Sequence, residues 1–485
     1  MVFVGCIMAI AASVWFVLAL RYNDMVVGAA IFLTVTSIFT SDFLAFQTGS
    51  ITLTLDRIWI VCLLIQLVYN LKSGRFVFRS IQSVDVCLAA FLVWLIARTL
   101  MEPLGEQVDG QPSTVMHLLN GYLVPAFLYW LIRFSRVDSK TIQPAVIILL
   151  IFGVYLGVTA VLEIAKMWSL VFPKHIADPT IGIHFGRARG PMIQSVRLGV
   201  CLNLCLAVLW TCVWWLYPKS KWAWGLVLAI TPVLMLGILL TYTRSIWMGT
   251  AAIVIISMVT LLEGKMRAIA LGGLFVSTVV TGLLLGPSLV AFKREYSEAE
   301  TRESTYMRAA FAYVSWQMFF DRPIIGFGFN QFQVYNRPYL DDRTTNIRLE
   351  SIRGYVHHNS FASLIVDLGL LGGALYSITV IAFGRNCFEL WRNKSAPKWA
   401  RATASLAFSV VAVHAIQMAF HEVSFSTIEN SIVAIALGLC QACRDDFHSD
   451  NVHSTATSVA TTRAPYRPAQ SHYQPEYAAG SHAQG

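Results

Sequence analysis

Apolar windows of about 20 residues recur along almost the whole chain, and no other feature constrains its fold as strongly. A run of that length crosses a bilayer as a helix, because backbone groups find no water there and must bond within their own segment. About 12 or 13 such windows are expected as helices, near 2–20, 25–40, 57–71, 85–100, 117–133, 143–164, 196–216, 222–241, 245–262, 267–287, 359–384, 402–420 and 426–442. Hydrophobic residues make up 56% of the chain and charged residues 13%, against roughly 25% charged in soluble domains. The composition therefore predicts an all-α, polytopic integral membrane protein. The apolar run at 2–20 has no basic residue ahead of it, Arg21 being the first, so it is expected to remain as a helix rather than be cleaved as a leader.

A net charge of +9 would suit nucleic acid, but the positions of the cations argue against that partner. Lys72, Arg75 and Arg79, then Arg133, Arg136 and Lys140, then Lys219 and Lys221, then Lys265 and Arg267, then Arg385, Arg392, Lys394, Lys398 and Arg401 fall in alternate connections. The connection at 101–116 carries Glu102, Glu106 and Asp109 and no cation. This is the positive-inside pattern. It puts the basic connections and the C-terminus in the cytoplasm and 101–116, 165–195 and 288–357 outside. Thirteen helices would place the N-terminus outside, whereas 12 would require the first two to be read differently. None of the nine cysteines lies in the two large outer loops, so no disulfide framework is implied. The Cys440-x-x-Cys443 pair reads as small apolar residues one helical turn apart. Three regions follow: N-terminal helices at 1–164, a membrane region with the two large outer loops at 165–442, and a disordered cytoplasmic tail at 443–485, rich in Ser, His, Ala, Pro and Gln.

Polar residues in unexpected places carry the functional signal. The outer connection 165–195 holds Lys166, Lys174, Arg187 and Arg189 against the single acid Asp178, and Arg197 opens the next helix. Cations outside oppose the positive-inside bias, which suggests a bound anion; contact with lipid headgroups is the alternative. Arg244 lies in Thr241-Tyr242-Thr243-Arg244-Ser245, a hinge between two apolar helices. It can snorkel to headgroups, or it can join Arg187 around a phosphate, where a planar guanidinium matches the oxygens. The 70-residue outer loop predicts an amphipathic helix near 303–320, on or near the membrane surface and ended by Asp321 and Pro323, then a tight turn at Gly326-Phe327-Gly328. Where that loop re-enters the membrane stands Tyr355-Val356-His357-His358-Asn359-Ser360, followed by Asp367, Gly369 and Gly372. An imidazole at a water–lipid boundary suits proton transfer near neutral pH. No Walker A sequence, His-Glu-x-x-His, Gly-x-Ser-x-Gly or clustered acid triplet for a metal is present.

Taken in order, Arg187–Gly190, Thr243-Arg244-Ser245, Asp321-x-Pro-x-x-Gly-x-Gly-x-x-x-Phe332 and His358-Asn359-Ser360 with Asp367 and Gly369 resemble the bacterial O-antigen ligase and O-antigen polymerase superfamily. The resemblance covers about 180–375, with Asp367 where the family more often has Glu and with a doubled His357-His358. It implies a GT-C-like helical fold and transfer of a glycan from an undecaprenyl-diphosphate donor to an acceptor hydroxyl, without metal or other cofactor. The acceptor can be a lipid A core, a growing glycan or a protein. It further implies an inner-membrane location, with the site facing the periplasm and membrane lipids around it. His358, which directly precedes Asn359, is then the expected base, oriented by Asn359 or Asp367. Arg187 and Arg244 are the expected diphosphate ligands, with Arg189, Arg197 and Arg308 in reserve. Tyr306, Trp316 and Tyr355 are candidate sugar-stacking surfaces, although packing also accounts for Trp316. The rival class is a polysaccharide or lipid transporter or flippase, which acids within the spans would support; few are present and no inverted repeat is visible. A scaffolding role leaves the boundary Arg and His residues without a purpose.

Overall fold

The computed structural model describes residues 14, 24–40, 45–48, 51–102, 113–213, 215, 220–291 and 298–461. Helix α1 (Met25–Ile38), a hairpin of β1 (Ala45–Thr48) and β2 (Ile51–Thr54), and α2 (Leu55–Lys72) come first. Six apolar helices follow: α3 (Ser83–Leu100), α4 (Thr114–Arg133), α5 (Ser139–Ile164), α6 (Ser195–Val213), α7 (Lys221–Leu240) and α8 (Arg244–Leu261). After α9 (Gly264–Ala291) the loop before Ser360 carries α10 (Glu298–Asp321) and two single turns, α11 (Phe332–Tyr335) and α12 (Arg337–Leu340). Helices α13 (Ser360–Arg392), α14 (Lys398–Phe420) and α15 (Thr427–Thr461) complete the described chain.

Eight of these helices, α3 to α8 with α13 and α14, are long and apolar enough to cross a membrane, so the chain is a multi-pass membrane protein. The expected 12 or 13 windows correspond to helices throughout the described residues, but fewer of them qualify as spans. Helix α1 has only 14 residues, and α2 carries Asp56, Arg57 and Lys72; the window at 2–20 lies outside the described residues. The chain separates into two compact units, 1–445 and 446–485.

Within the first unit, α6 is almost wholly buried and touches α5, α7, α8 and α14, whereas α7 turns most of its surface outward. Helix α8 packs along α14, and α13 along α3. Lipid tails are as apolar as the helices, so close packing and interhelical hydrogen bonds must hold such a bundle. Asn203 on α6 donates to the Ile246 carbonyl and accepts from Thr250 at 2.8 Å, and Gln417 on α14 donates to the Ser245 carbonyl at 3.1 Å. At the opposite end, the fully buried Arg133 pairs with Asp85 at 2.7 Å and Asp445 at 2.5 Å, tying α4 to α3 and α15. Two acids around one guanidinium offset the desolvation that a buried charge suffers.

The loop that carries α10 has a core of its own. Ala310, Phe311, Val314 and Met318 on one face of α10 pack against Phe327, Phe332, Leu340, Leu349 and Ile352. Each large apolar side chain buried there contributes about 2 kcal/mol. The apolar face expected to lie on lipid is thus covered by the loop itself, while Trp316 and Phe320 remain exposed on another face.

Candidate active site

Helix α13 is not continuous. At Gly369 the backbone leaves helical geometry (φ 68°, ψ −172°), and the segment Pro323–Gly328 enters the gap. Leu370 N donates to the Pro323 carbonyl, Leu371 N to Ile324, Phe327 N to Val366 and Gly328 N to the Asp367 carbonyl, at 2.8–3.2 Å. Backbone freed by the break is therefore bonded again, as an apolar setting demands. A Cβ on Gly326 would stand 2.5 Å from the Asp367 carbonyl oxygen, and one on Gly369 would stand 2.2 Å from the Ile324 oxygen. Both glycines also have positive φ, so only glycine fits. The tight turn and the acid–glycine pair, about 40 residues apart in sequence, form one lock. Asp367 is buried and accepts from Asn330 N at 2.9 Å. Arg98 on α3 closes the lock from outside, donating to the carbonyls of Ile325 and Gly326 and to Glu102.

A second set of contacts brings the three expected catalytic residues onto one seam. Ala188 N, next to Arg187, donates to the Leu240 carbonyl at the end of α7. The hinge then turns through Tyr242 (φ 48°), and Arg244 opens α8 with its side chain exposed. Its neighbour Ser245 hydrogen-bonds the His421 imidazole at 3.0 Å. The His421 carbonyl accepts from Ser360 at 3.0 Å, and Asn359 donates to the Ala419 carbonyl at 3.0 Å. Asn359 also caps α13 by accepting from Ala362 N, so His358 sits just ahead of a helix start. Two helix N-termini, those of α8 and α13, share this seam, and their partial positive charges favour an anion beside the guanidinium groups.

The paired imidazoles have opposite surroundings. His357 is buried against Phe332, ring centroids 3.8 Å apart, with Nδ1 at 3.4 Å from Ser315. Burial drives its pKa down to about 3, the neighbouring His358 adding to the effect, so this ring stays neutral. His358 is exposed and stacked on Phe311 at 4.8 Å. Its Nδ1 lies 3.3 Å from the Val356 carbonyl. A proton held there leaves Nε2 as the accepting nitrogen.

The remaining expected residues divide into distinct groups. Arg189 is fully buried: its guanidinium bonds Glu163 and the carbonyls of Ile176, Asp178 and Ile181, and stacks on Phe185. It organises the 165–195 loop from within, and Glu163, in the last turn of α5, receives the amides of both Arg189 and Gly190. Arg187, two residues earlier, is half-buried. Arg197 is half-buried on α6, and its charge acts on Glu429. Arg308 is exposed one turn before Phe311, the platform for His358. Tyr306 and Trp316 are both exposed on α10, Trp316 edge-on to Phe320 at 4.6 Å.

Sequence reasoning missed His421 and Glu422, which stand in the turn after α14. His and Glu at an outer helix end were a visible signal, but their distance from the other motif residues hid it. Half-buried, with its Oε2 enclosed, the Glu422 carboxyl is pushed above its ordinary range by burial, with bonds from Ser424 and Ser360 opposing. Beneath this turn lies an apolar cavity of about 150 Å³, lined by Phe91, Tyr122, Tyr376, Met418, Val423 and Leu437 among others. Among the described residues no group of three His, Cys, Asp or Glu side chains is arranged to hold a metal ion.

Residues 229–377 match the family model described as O-antigen ligase. The matched span includes Arg244, Arg308, His358, Asn359 and Asp367, and it leaves Arg187, Arg189, Arg197 and Glu422 outside. No curated protein sequence matches the chain significantly.

Proposed function

From the premise that this chain belongs to the O-antigen ligase superfamily, we propose that it transfers a glycan from an undecaprenyl-diphosphate carrier to an acceptor hydroxyl, in cell-surface polysaccharide biosynthesis. The observation that supports the reading is the hydrogen-bonded seam through Ala188, Leu240, Ser245, His421 and Ser360, beside whose successive joints Arg187, Arg244 and His358 stand on one rim. In this reaction the acceptor oxygen forms a bond to the anomeric carbon, and the bond from that carbon to the carrier diphosphate breaks. Negative charge grows on the departing diphosphate, and fixed guanidinium groups stabilise it. His358 Nε2 receives the hydroxyl proton as the new bond forms. The cavity below the rim offers apolar surface to the carrier's polyprenyl tail. Alternating basic connections support a location in the inner membrane with this rim facing the periplasm.

The test is reconstitution of the purified protein with a defined undecaprenyl-diphosphate glycan and, in turn, lipid A core, glycan and protein acceptors. A new glycosidic bond, formed without ATP and in excess EDTA, is the expected result. Transfer that stops on chelation and resumes with Mg²⁺ would overturn the arginine mechanism. Movement of the donor across the bilayer with no glycosidic bond made would establish the transporter reading instead.

A further inference from the structure

Glu422 takes no part in the bond changes above, yet its carboxylate is the meeting point of the elements that carry them. Its Oε1 lies 3.0 Å from the Ser360 hydroxyl, whose one proton it shares with the His421 carbonyl, and accepts from Ser424 N at 3.1 Å and from the Ser424 hydroxyl. Ser363, one turn further along α13, donates to Asp367 at 3.5 Å. Val423 N in turn donates to Ser360 at 2.8 Å. Two hydroxyls and an amide thus converge on one acid in the connection between α14 and α15. An ionised carboxylate is acceptor-only and suits such a set of donors better than any neutral side chain.

We propose that Glu422 is a positioning residue for glycan transfer. Its carboxylate fastens the first turn of α13, the turn that follows His358 and Asn359, to the turn that holds His421 against Ser245. The imidazole on one side and the Arg244 guanidinium on the other thereby keep a fixed separation. Loosening this clip leaves both groups present but misplaced, and misplacement by about 1 Å can cost on the order of 100-fold in rate.

This inference rests on the transfer reading, and its test separates the two. In the reconstituted full-length protein, Glu422→Gln is expected to lower kcat by about 10- to 100-fold while KM for the lipid-linked donor stays near its parental value. In a His358→Ala background the same substitution should add no further loss, because no imidazole remains to be placed. A wild-type kcat in Glu422→Gln, or an undiminished second loss in the double variant, would overturn the proposal. Hydrogen exchange of the amides at 360–363 supplies a readout independent of chemistry: it should quicken in Glu422→Gln at unchanged Tm. Unaltered exchange, or a fall in Tm large enough to account for the lost rate, would reduce Glu422 to a general fold contact or less. Should the parental protein make no glycosidic bond with any donor, the transfer reading fails on that result, and exchange at 360–363 still decides whether the clip exists.

Discussion

The two halves of the segment 355–373 use polar residues in opposite ways. In the first half His358 is exposed, its Nδ1 3.3 Å from the Val356 carbonyl, and Asn359 sits at a helix cap facing the seam. In the second half Asp367 and Gly369 are buried in a lock with Gly326 and Gly328, their bonds made inside the protein. The lesson is that a polar motif in an apolar chain can mark an architecture as readily as a chemistry, and that burial separates the two. Arg187 and Arg189 repeat the contrast two residues apart. One is half-buried beside the seam, and the other is engaged by its own loop and by Glu163 of α5.

The contrast is sharpest if activity and stability respond separately. His358→Ala should lose about 10²–10⁴ in transfer rate with Tm unchanged. Parental activity in that variant, together with an inactive His357→Ala, would exchange the roles of the two rings. Arg244→Lys keeps the charge but not the planar pair of donors, so kcat should fall about 10²-fold, the loss typical of one oxyanion donor; full activity would leave Arg244 a headgroup anchor. Gly369→Ala acts on the closed half. A Cβ against the Ile324 oxygen should cost about 2 kcal/mol or more of stability, read as lowered Tm and poor accumulation, and an active, stable variant would remove the lock from the account.

Smaller effects come from pH and from the far face. His357 is neutral in the fold and takes a proton only near pH 3, whereas the unfolded chain takes it near 6.5. The unfolded state therefore binds the extra proton between those values, and stability must fall as pH drops through that window, by about 2 kcal/mol at pH 5. His357→Phe should flatten that part of the Tm–pH curve; an unchanged slope would show that another group titrates there. Lys221, at the opposite end of α7 from Arg244, should tolerate Ala with activity within about twofold, consistent with a surface substitution.

Local physics made much of this protein legible from residues alone. Apolar windows near 20 residues predict helices because a bilayer permits few other spanning structures, and the helices stand where those windows fall in the described residues. Asp321 and Pro323 ending α10, and a turn at Gly326–Gly328, were equally readable, since each depends on backbone preferences of a few neighbours. What those neighbours could not encode is partnership. Nothing near Arg189 announces Glu163, nothing near Asp367 announces Asn330, and nothing near Ser360 announces Glu422 some 60 residues on. Whether a polar side chain faces water or another polar group depends on which helices pack together, and packing is a property of the assembled bundle. The sequence by itself determined that the chain spans a membrane and where its polar exceptions lie. Only the tertiary structure decided which exceptions close a lock and which stay open, because desolvation and hydrogen bonding act between segments that meet only in the fold.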